Sequence, residues 1–306
     1  MRPVRPAAIL AGWSLLLPLP VAATAQAPPG SALWRVAGQT LVQPAALAEG
    51  AVAVFWNPAR GEAGEGRVTI GFEAVHGAEA TGVSGVLAGA RVRAGPAAHV
   101  GLLVGRMSVN DLVRTSTSPA PEPGAIPFSA SVIGVSASAT PVAGKLRLGL
   151  SALAHRSVLD LITENTWTLD GGVWFEPVPG LSFAASTHFL SRTLGSHPQQ
   201  DVFGAASWKA WQGPLWGAPS TLTLRAGLAG AHGGGLDRLV GFGLAVGEQV
   251  GLDALLARED RYGNAAIRGV VGLRVSTQHY RVTLARDNGM NEIGAAFRFG
   301  LEATLK

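Results

Sequence analysis

Cysteine is absent from the 306 residues, which excludes a disulfide scaffold and any thiolate chemistry. Charge is scarce too, since Asp, Glu, Lys and Arg make up 14% of the chain. Beyond the first thirty residues no apolar run approaches the roughly 20 residues that a helix needs to cross a bilayer. Catalytic signatures are missing: there is no G-x-S-x-G elbow, no H-E-x-x-H and no phosphate-binding loop. The seven histidines are scattered, so local spacing encodes no metal cluster, and no cofactor is expected. The net charge of +4 comes from basic residues that stand singly. That distribution argues against a nucleic-acid partner.

What the sequence does hold begins with a targeting segment. Arg2 and Arg5 precede an apolar stretch from Ala7 to Leu17, Pro18 and Pro20 break it, and Ala23-Thr24-Ala25 offers a cleavage site before Gln26. This is the grammar of a secretory signal over residues 1–25. Residues 26–65 follow without a period of two and contain a short helical pattern from Gln43 to Glu49.

From residue 66 to the end the chain alternates. Val68, Ile70, Phe72 and Ala74 interleave with Thr69, Gly71 and Glu73, and Phe297, Phe299 and Leu301 with Arg298 and Glu302. Such alternation marks strands whose two faces meet different surroundings. About fourteen segments follow, at 66–75, 83–94, 97–109, 128–140, 144–155, 166–176, 180–190, 201–211, 220–230, 238–246, 250–258, 265–276, 279–287 and 292–305. Most match the 9–11 residues of a tilted membrane-crossing strand. Connectors alternate between short turns, such as Gly95-Pro96, and longer polar ones, such as Ser157 to Asn165; Gln212 to Pro219, carrying Trp216, is a long exception. The expected fold is all-β: an up-and-down antiparallel transmembrane barrel of about fourteen strands, residues 66–306. The rival architecture, a soluble sandwich, would use shorter strands and a polar exterior.

The charges support the barrel. Glu73, Arg91, Arg93, Arg147, Asp170, Glu176, Arg225, Asp253, Arg268, Arg274, Arg281, Arg298 and Glu302 share the face of small or polar neighbours. In a barrel that is the lumen, because arginine on the lipid face near the midplane costs about 2–4 kcal/mol. Inward arginines could line a path for an amphiphile's head group, but ion pairs filling a narrow lumen are the simpler reading. Arg106, Arg258 and Arg286 break parity near strand ends, where long side chains can snorkel. Val92, Leu148, Leu224, Val271 and Phe299 are the corresponding lipid-facing positions. Trp167, Trp208, Trp211, Trp216, Tyr262 and Tyr280 lie near strand ends or in connectors, as in interfacial belts. His188 beside Ser186 could be drafted into a hydrolase site, but a polar lumen residue is the plainer assignment, and no enzyme is expected.

The segment Ala48-Glu49-Gly50-Ala51-Val52-Ala53-Val54-Phe55-Trp56-Asn57-Pro58-Ala59 resembles the amino-terminal box of FadL-type outer-membrane transporters and related PorV-type barrels. The resemblance implies a fourteen-stranded barrel with an amino-terminal hatch, residues 26–65, in its lumen, with Trp56, Asn57, Pro58 and Ala59 as hatch residues. It also implies a bacterial outer-membrane location and passive uptake of hydrophobic or amphipathic small molecules. The alternative it carries is a non-transporting barrel that partners secretion or assembly proteins. The expected partners are therefore outer-membrane lipids, a hydrophobic or amphipathic solute, or secretion-machinery proteins.

Overall fold

The computed structural model describes residues 30–60, 67–110, 112, 125–142, 144–190, 201–231, 235–261, 264–289 and 294–305. The expected signal (1–25), the remaining ends of the expected hatch (26–29 and 61–65), Tyr262 and much of the longer connectors lie outside these residues.

Fourteen strands run in chain order: β1 (Val68–His76), β2 (Val83–Arg93), β3 (Ala98–Val109), β4 (Phe128–Val142), β5 (Leu146–Leu159), β6 (Ile162–Val178), β7 (Leu181–Leu190), β8 (Asp201–Leu215), β9 (Ala218–Ala231), β10 (Leu236–Val246), β11 (Val250–Arg261), β12 (Asn264–Ser276), β13 (Tyr280–Asp287) and β14 (Ala296–Leu305). Each pairs antiparallel with its neighbours, and β1 closes on β14 from Val68↔Leu305 to His76↔Phe297. The ring is a closed up-and-down barrel with no free edge to promote aggregation. One end carries the connectors after the odd-numbered strands, including 110–127 and 191–200. The other carries the tight turns, the start of β1 and the end of β14. We call these the loop end and the turn end.

The period of two fixes what each face meets. In β3, Val100, Leu102 and Val104 point outward and are exposed, while Gly101, Leu103 and Gly105 point inward and are buried. Leu150 is 69% and Ile133 64% exposed on the outer wall. Val92, Leu148, Leu224, Val271 and Phe299 all lie on that wall. The main apolar core lies inside the ring and joins the inner face to residues 33–56.

Three details depart from the sequence reading. The connector expected from Ser157 to Asn165 is a hairpin: β5 runs to Leu159 and β6 starts at Ile162. Polar residues on both faces hid the alternation there, but a ladder needs backbone partners, and Val158, Ile162 and Thr163 suit strands. The long exception from Gln212 to Pro219 is a two-residue turn at Trp216-Gly217, with φ of 50° and 80°. Two positive φ values match the twist of a tight hairpin. The period of two in the 180–190 segment puts Phe189 on the outward face with Phe183, yet Phe189 is buried at 1% exposure. The β6–β7 register shifts beside it and its φ is 64°, so His188 and Phe189 both turn inward.

Candidate functional site

Residues 30–60 form an inner segment packed against inward faces around the ring. It begins with helix α1 (Ser31–Gln39), which leans on β2–β4. A 3₁₀ turn at Ala45–Leu47 touches β7 and β8, and a second at Ala51–Phe55 touches β1–β3. The first 3₁₀ turn falls inside the helical pattern expected from Gln43 to Glu49; α1 had no counterpart in the sequence reading. Nine residues make a marginal helix alone. Leu33, Trp34 and Ala37 are buried against the wall, and wall arginines hold the far end. Arg298 of β14 donates to the Ala37 carbonyl and, at 3.0 Å, to Thr40 Oγ1. Arg268 of β12 donates to the Gln39 carbonyl. These cations satisfy C-terminal carbonyls that the helix cannot and complement its dipole.

The inner segment fits because the wall offers glycine where it approaches closest. Gly71 and Gly89 face each other across β1–β2. A Cβ on Gly71 would sit 3.1 Å from the Ala51 and Val52 side chains, and one on Gly89 would sit 2.8 Å from the Ala51 carbonyl. Gly149 and Gly172 face each other across β5–β6. A Cβ on Gly149 would come within 2.4 Å of the Ala59 nitrogen, and one on Gly172 within 2.0 Å of Asn57 Oδ1. These two windows, built from four of the chain's 41 glycines, seat the two halves of the Ala51 to Ala59 stretch. Glycine ordinarily weakens a strand, so its presence here has a packing reason.

Trp56, Asn57, Pro58 and Ala59 all lie buried in this seat. Asn57 Nδ2 donates to the Ala46 carbonyl at 2.8 Å and to the Val173 carbonyl of β6 at 3.5 Å, while its Oδ1 accepts from the Ala59 N–H at 3.0 Å. Its amide thus ties both limbs of the inner segment to the wall, through backbone groups alone. Phe55 is fully buried, with ring centroids 5.0 Å from Trp34, 4.9 Å from Trp56 and 4.5 Å from His188. Burying each of these large side chains is worth about 1.5–3 kcal/mol.

Of the arginines and glutamate expected in the lumen, Glu73, Arg91, Arg147, Arg225, Arg274 and Arg298 occupy inward positions. Arg93 has the same parity but is exposed at the turn end. Most have partners. Arg298 pairs with Glu73, Arg225 with Asp253 at 2.6 Å, and Arg268 with Glu259 and Asp287 at 2.9 and 3.1 Å. Arg91 donates to Ser138 Oγ at 2.7 Å, and Arg147 lies 4.4 Å over the Trp174 ring.

The sequence reading missed Glu49 as an electrostatic centre. Arg60 reaches it at 2.9 Å and Arg274 at 3.7 Å. Crowding in the lumen works to raise its pKa, but Arg60, Arg274, Arg281 and Arg225 outweigh this and hold it below the usual carboxylate range. With 41% of the side chain still accessible, the cost of burial does not prevail. Next to Glu49, Gly50 adopts φ 97°, and the Ala51 N–H donates to Glu302 Oε2 at 2.8 Å.

Between the inner segment and β8–β12 lies a cavity of about 90 Å³. Trp34, Trp56, Phe203 and Leu239 give it an apolar side. The Arg35–Asp201 and Arg268–Glu259 pairs give it an ionic side, at the loop ends of β8, β11 and β12. His188 borders it, hydrogen-bonded to Asp170 and covered by Phe55. Ser186 Oγ finds no hydrogen-bond partner among the described residues, so no serine–histidine bond forms.

No protein-family model matches the chain, and no curated protein matches it. Among solved structures it is similar to the outer membrane protein Omp33 of Acinetobacter baumannii, at 11% identity and a TM-score of 0.46, over 78% of this chain and 98% of that one. It is also similar to CdiB from Acinetobacter baumannii (10%, TM-score 0.46, 78% and 60%) and to the KdgM porin (7%, TM-score 0.41, 78% and 99%). Likeness of this degree says nothing of ligand, partner or activity.

Proposed function

We propose that the protein is a bacterial outer-membrane barrel whose inner segment is a hatch, and that it admits small amphipathic or hydrophobic molecules passively. The membrane reading is supported by the apolar outer wall below the loop-end arginines, which in water would be an untenable exposed surface. The hatch reading is carried by one observation: the inner segment is seated in glycine windows and fastened by a few hydrogen bonds and ion pairs. A segment that merely filled space would need neither.

The cavity beside it suits a solute with one apolar and one polar side. The cavity is small, about 90 Å³, so a larger solute advances only when the inner segment gives way. Solute arriving from the loop end would exchange its apolar part against Trp34 and Trp56 and its polar part against the Arg35–Asp201 pair. That exchange offsets the cost of displacing the inner segment. The chain's own binding interactions drive the step, and a solute gradient sets its direction.

The test is deletion of residues 26–60, with barrel closure scored by heat-modified gel mobility. Single-channel conductance and uptake of a fluorescent fatty acid by whole cells should both rise. Unchanged permeability in a closed barrel would sink the hatch and favour the secretion-partner alternative.

A further inference from the structure

The outer wall is apolar at one end and cationic at the other. Arg106, Arg156, Arg238, Arg258 and Arg286 all occupy outward positions, each within four residues of the loop end of its strand. His76 joins them as the last residue of β1. In the turn half, outward positions carry no charge among the described side chains, and Trp208, Trp211 and Tyr280 stand there instead. No carboxylate among the described strand side chains points outward at either end. Of the five, Arg156 lies just beyond the 144–155 segment expected from the sequence, and Arg238 stands as the first residue of the 238–246 segment.

The arginines are grouped. Arg106 of β3 lies opposite Ser131 of β4, Ser131 opposite Arg156 of β5, and Arg156 opposite Asn165 of β6. This makes one outward polar row across four strands. The two arginines stand about 10 Å apart, two strand spacings, and each side chain is long enough to meet the other over Ser131. One step toward the turn end the row becomes Val104, Ile133, Ala154 and Trp167, and the next is Leu102, Val135, Ala152 and Leu169. On β10–β11, Arg238 faces Arg258 directly. On β13, Arg286 caps an outer-wall groove of about 780 Å³ lined by Leu273, Leu284, Phe297 and Phe299. Among the described residues no hydrogen bond or ion pair fixes Arg106, Arg156, Arg238 or Arg286.

Snorkelling accounts for one arginine near an interface, but not for a row that sets Arg106 and Arg156 on either side of Ser131 with no outward carboxylate among the described strand side chains. Guanidinium forks match phosphate oxygens, and apolar rows directly below match acyl chains. We infer that the loop-end girdle binds a phosphorylated lipid of the outer leaflet, a lipid A-type headgroup bearing phosphate monoesters, with Arg106, Ser131, Arg156 and Asn165 as a principal phosphate seat. The inference rests on the outer-membrane reading above, because it needs the loop end to face that leaflet.

The test uses the full mature chain. Insertion into neutral phosphatidylcholine vesicles is scored first, by heat-modified mobility. Native mass spectrometry then follows retention of diphosphoryl lipid A against excess phosphatidylglycerol. Wild type should retain lipid A selectively, and the R106A/R156A double variant should insert normally yet lose retention by about tenfold or more. Lysine at both positions should restore part of it, and inorganic phosphate should not displace the lipid. Equal retention by wild type and double variant, or equal binding of phosphatidylglycerol, overturns this inference alone. Failure of wild type to insert overturns the membrane reading and this inference with it.

Discussion

Asn57 and the glycines opposite it show how much a single position can carry. The Asn57 amide is saturated by Ala46, Val173 and Ala59, so Asn57→Ala strands a buried carbonyl and a buried N–H at a cost of about 1–3 kcal/mol. That cost falls on the inner segment, since the strand ladders do not use the side chain. Gly172→Ala attacks the same contact from the wall, placing a methyl 2.0 Å from Asn57 Oδ1. Both variants should run as closed barrels on unheated gels while conductance rises. Gly204→Ala, whose Cβ would meet nothing within 4 Å, should match wild type. Equal conductance in all three would mean that the seat does not hold the inner segment. The motif made Asn57 legible in the sequence. The glycine pairs were not, because a lone glycine within an alternating run reads as a weak strand position. Their meaning lies in Gly149 and Gly172 being cross-strand partners, a fact of register. Phe189 was illegible for the same reason: parity assigns its side outward until a bulge reverses it.

At the scale of elements, strands were far more legible than the inner segment. A strand against lipid must alternate over its whole crossing, so its period survives in the sequence. The inner segment has no such obligation, and α1 owes its helical form to wall groups distant in sequence, Arg268 and Arg298. The connection from α1 to the windows depends likewise on Glu49 and its arginines. Because Glu49 is held below the usual carboxylate value of 4.5, its contribution to stability is fully present above that value. It is lost as pH falls through the lowered value. Acidification below about pH 4.5 should therefore loosen residues 45–60 before the barrel opens. Hydrogen exchange would show this as faster exchange in those residues with the strand amides still protected. Glu49→Gln should give the same pattern at neutral pH and abolish its pH dependence. Uniform exchange across inner segment and strands would contradict this assignment.

For the whole molecule, the deciding question is what surrounds the wall, and depth is the variable that answers it. Val135 lies midway along β4, outward and 55% exposed; Ile267 lies near the loop end of β12, outward and 74% exposed, opposite Arg258. In water, arginine at either exposed position would cost little, the repulsion from Arg258 adding at most about 1 kcal/mol at Ile267. In a bilayer the costs diverge: about 2–4 kcal/mol near the midplane against about 0–1 near the interface. Reversible unfolding from phosphatidylcholine vesicles should therefore show Val135→Arg destabilised within the larger range and Ile267→Arg nearly neutral. The same ordering should vanish in a detergent micelle thin enough for the arginine to reach water. Spin labels give an independent reading: those at Leu148, Leu224 and Phe299 should be relaxed by oxygen, and those at Arg225 and Arg298 should be shielded. Arg93, exposed at the turn end, should respond to an aqueous relaxant instead. Equal costs at Val135 and Ile267, with labels on both faces seeing the same water, would remove the membrane from the account.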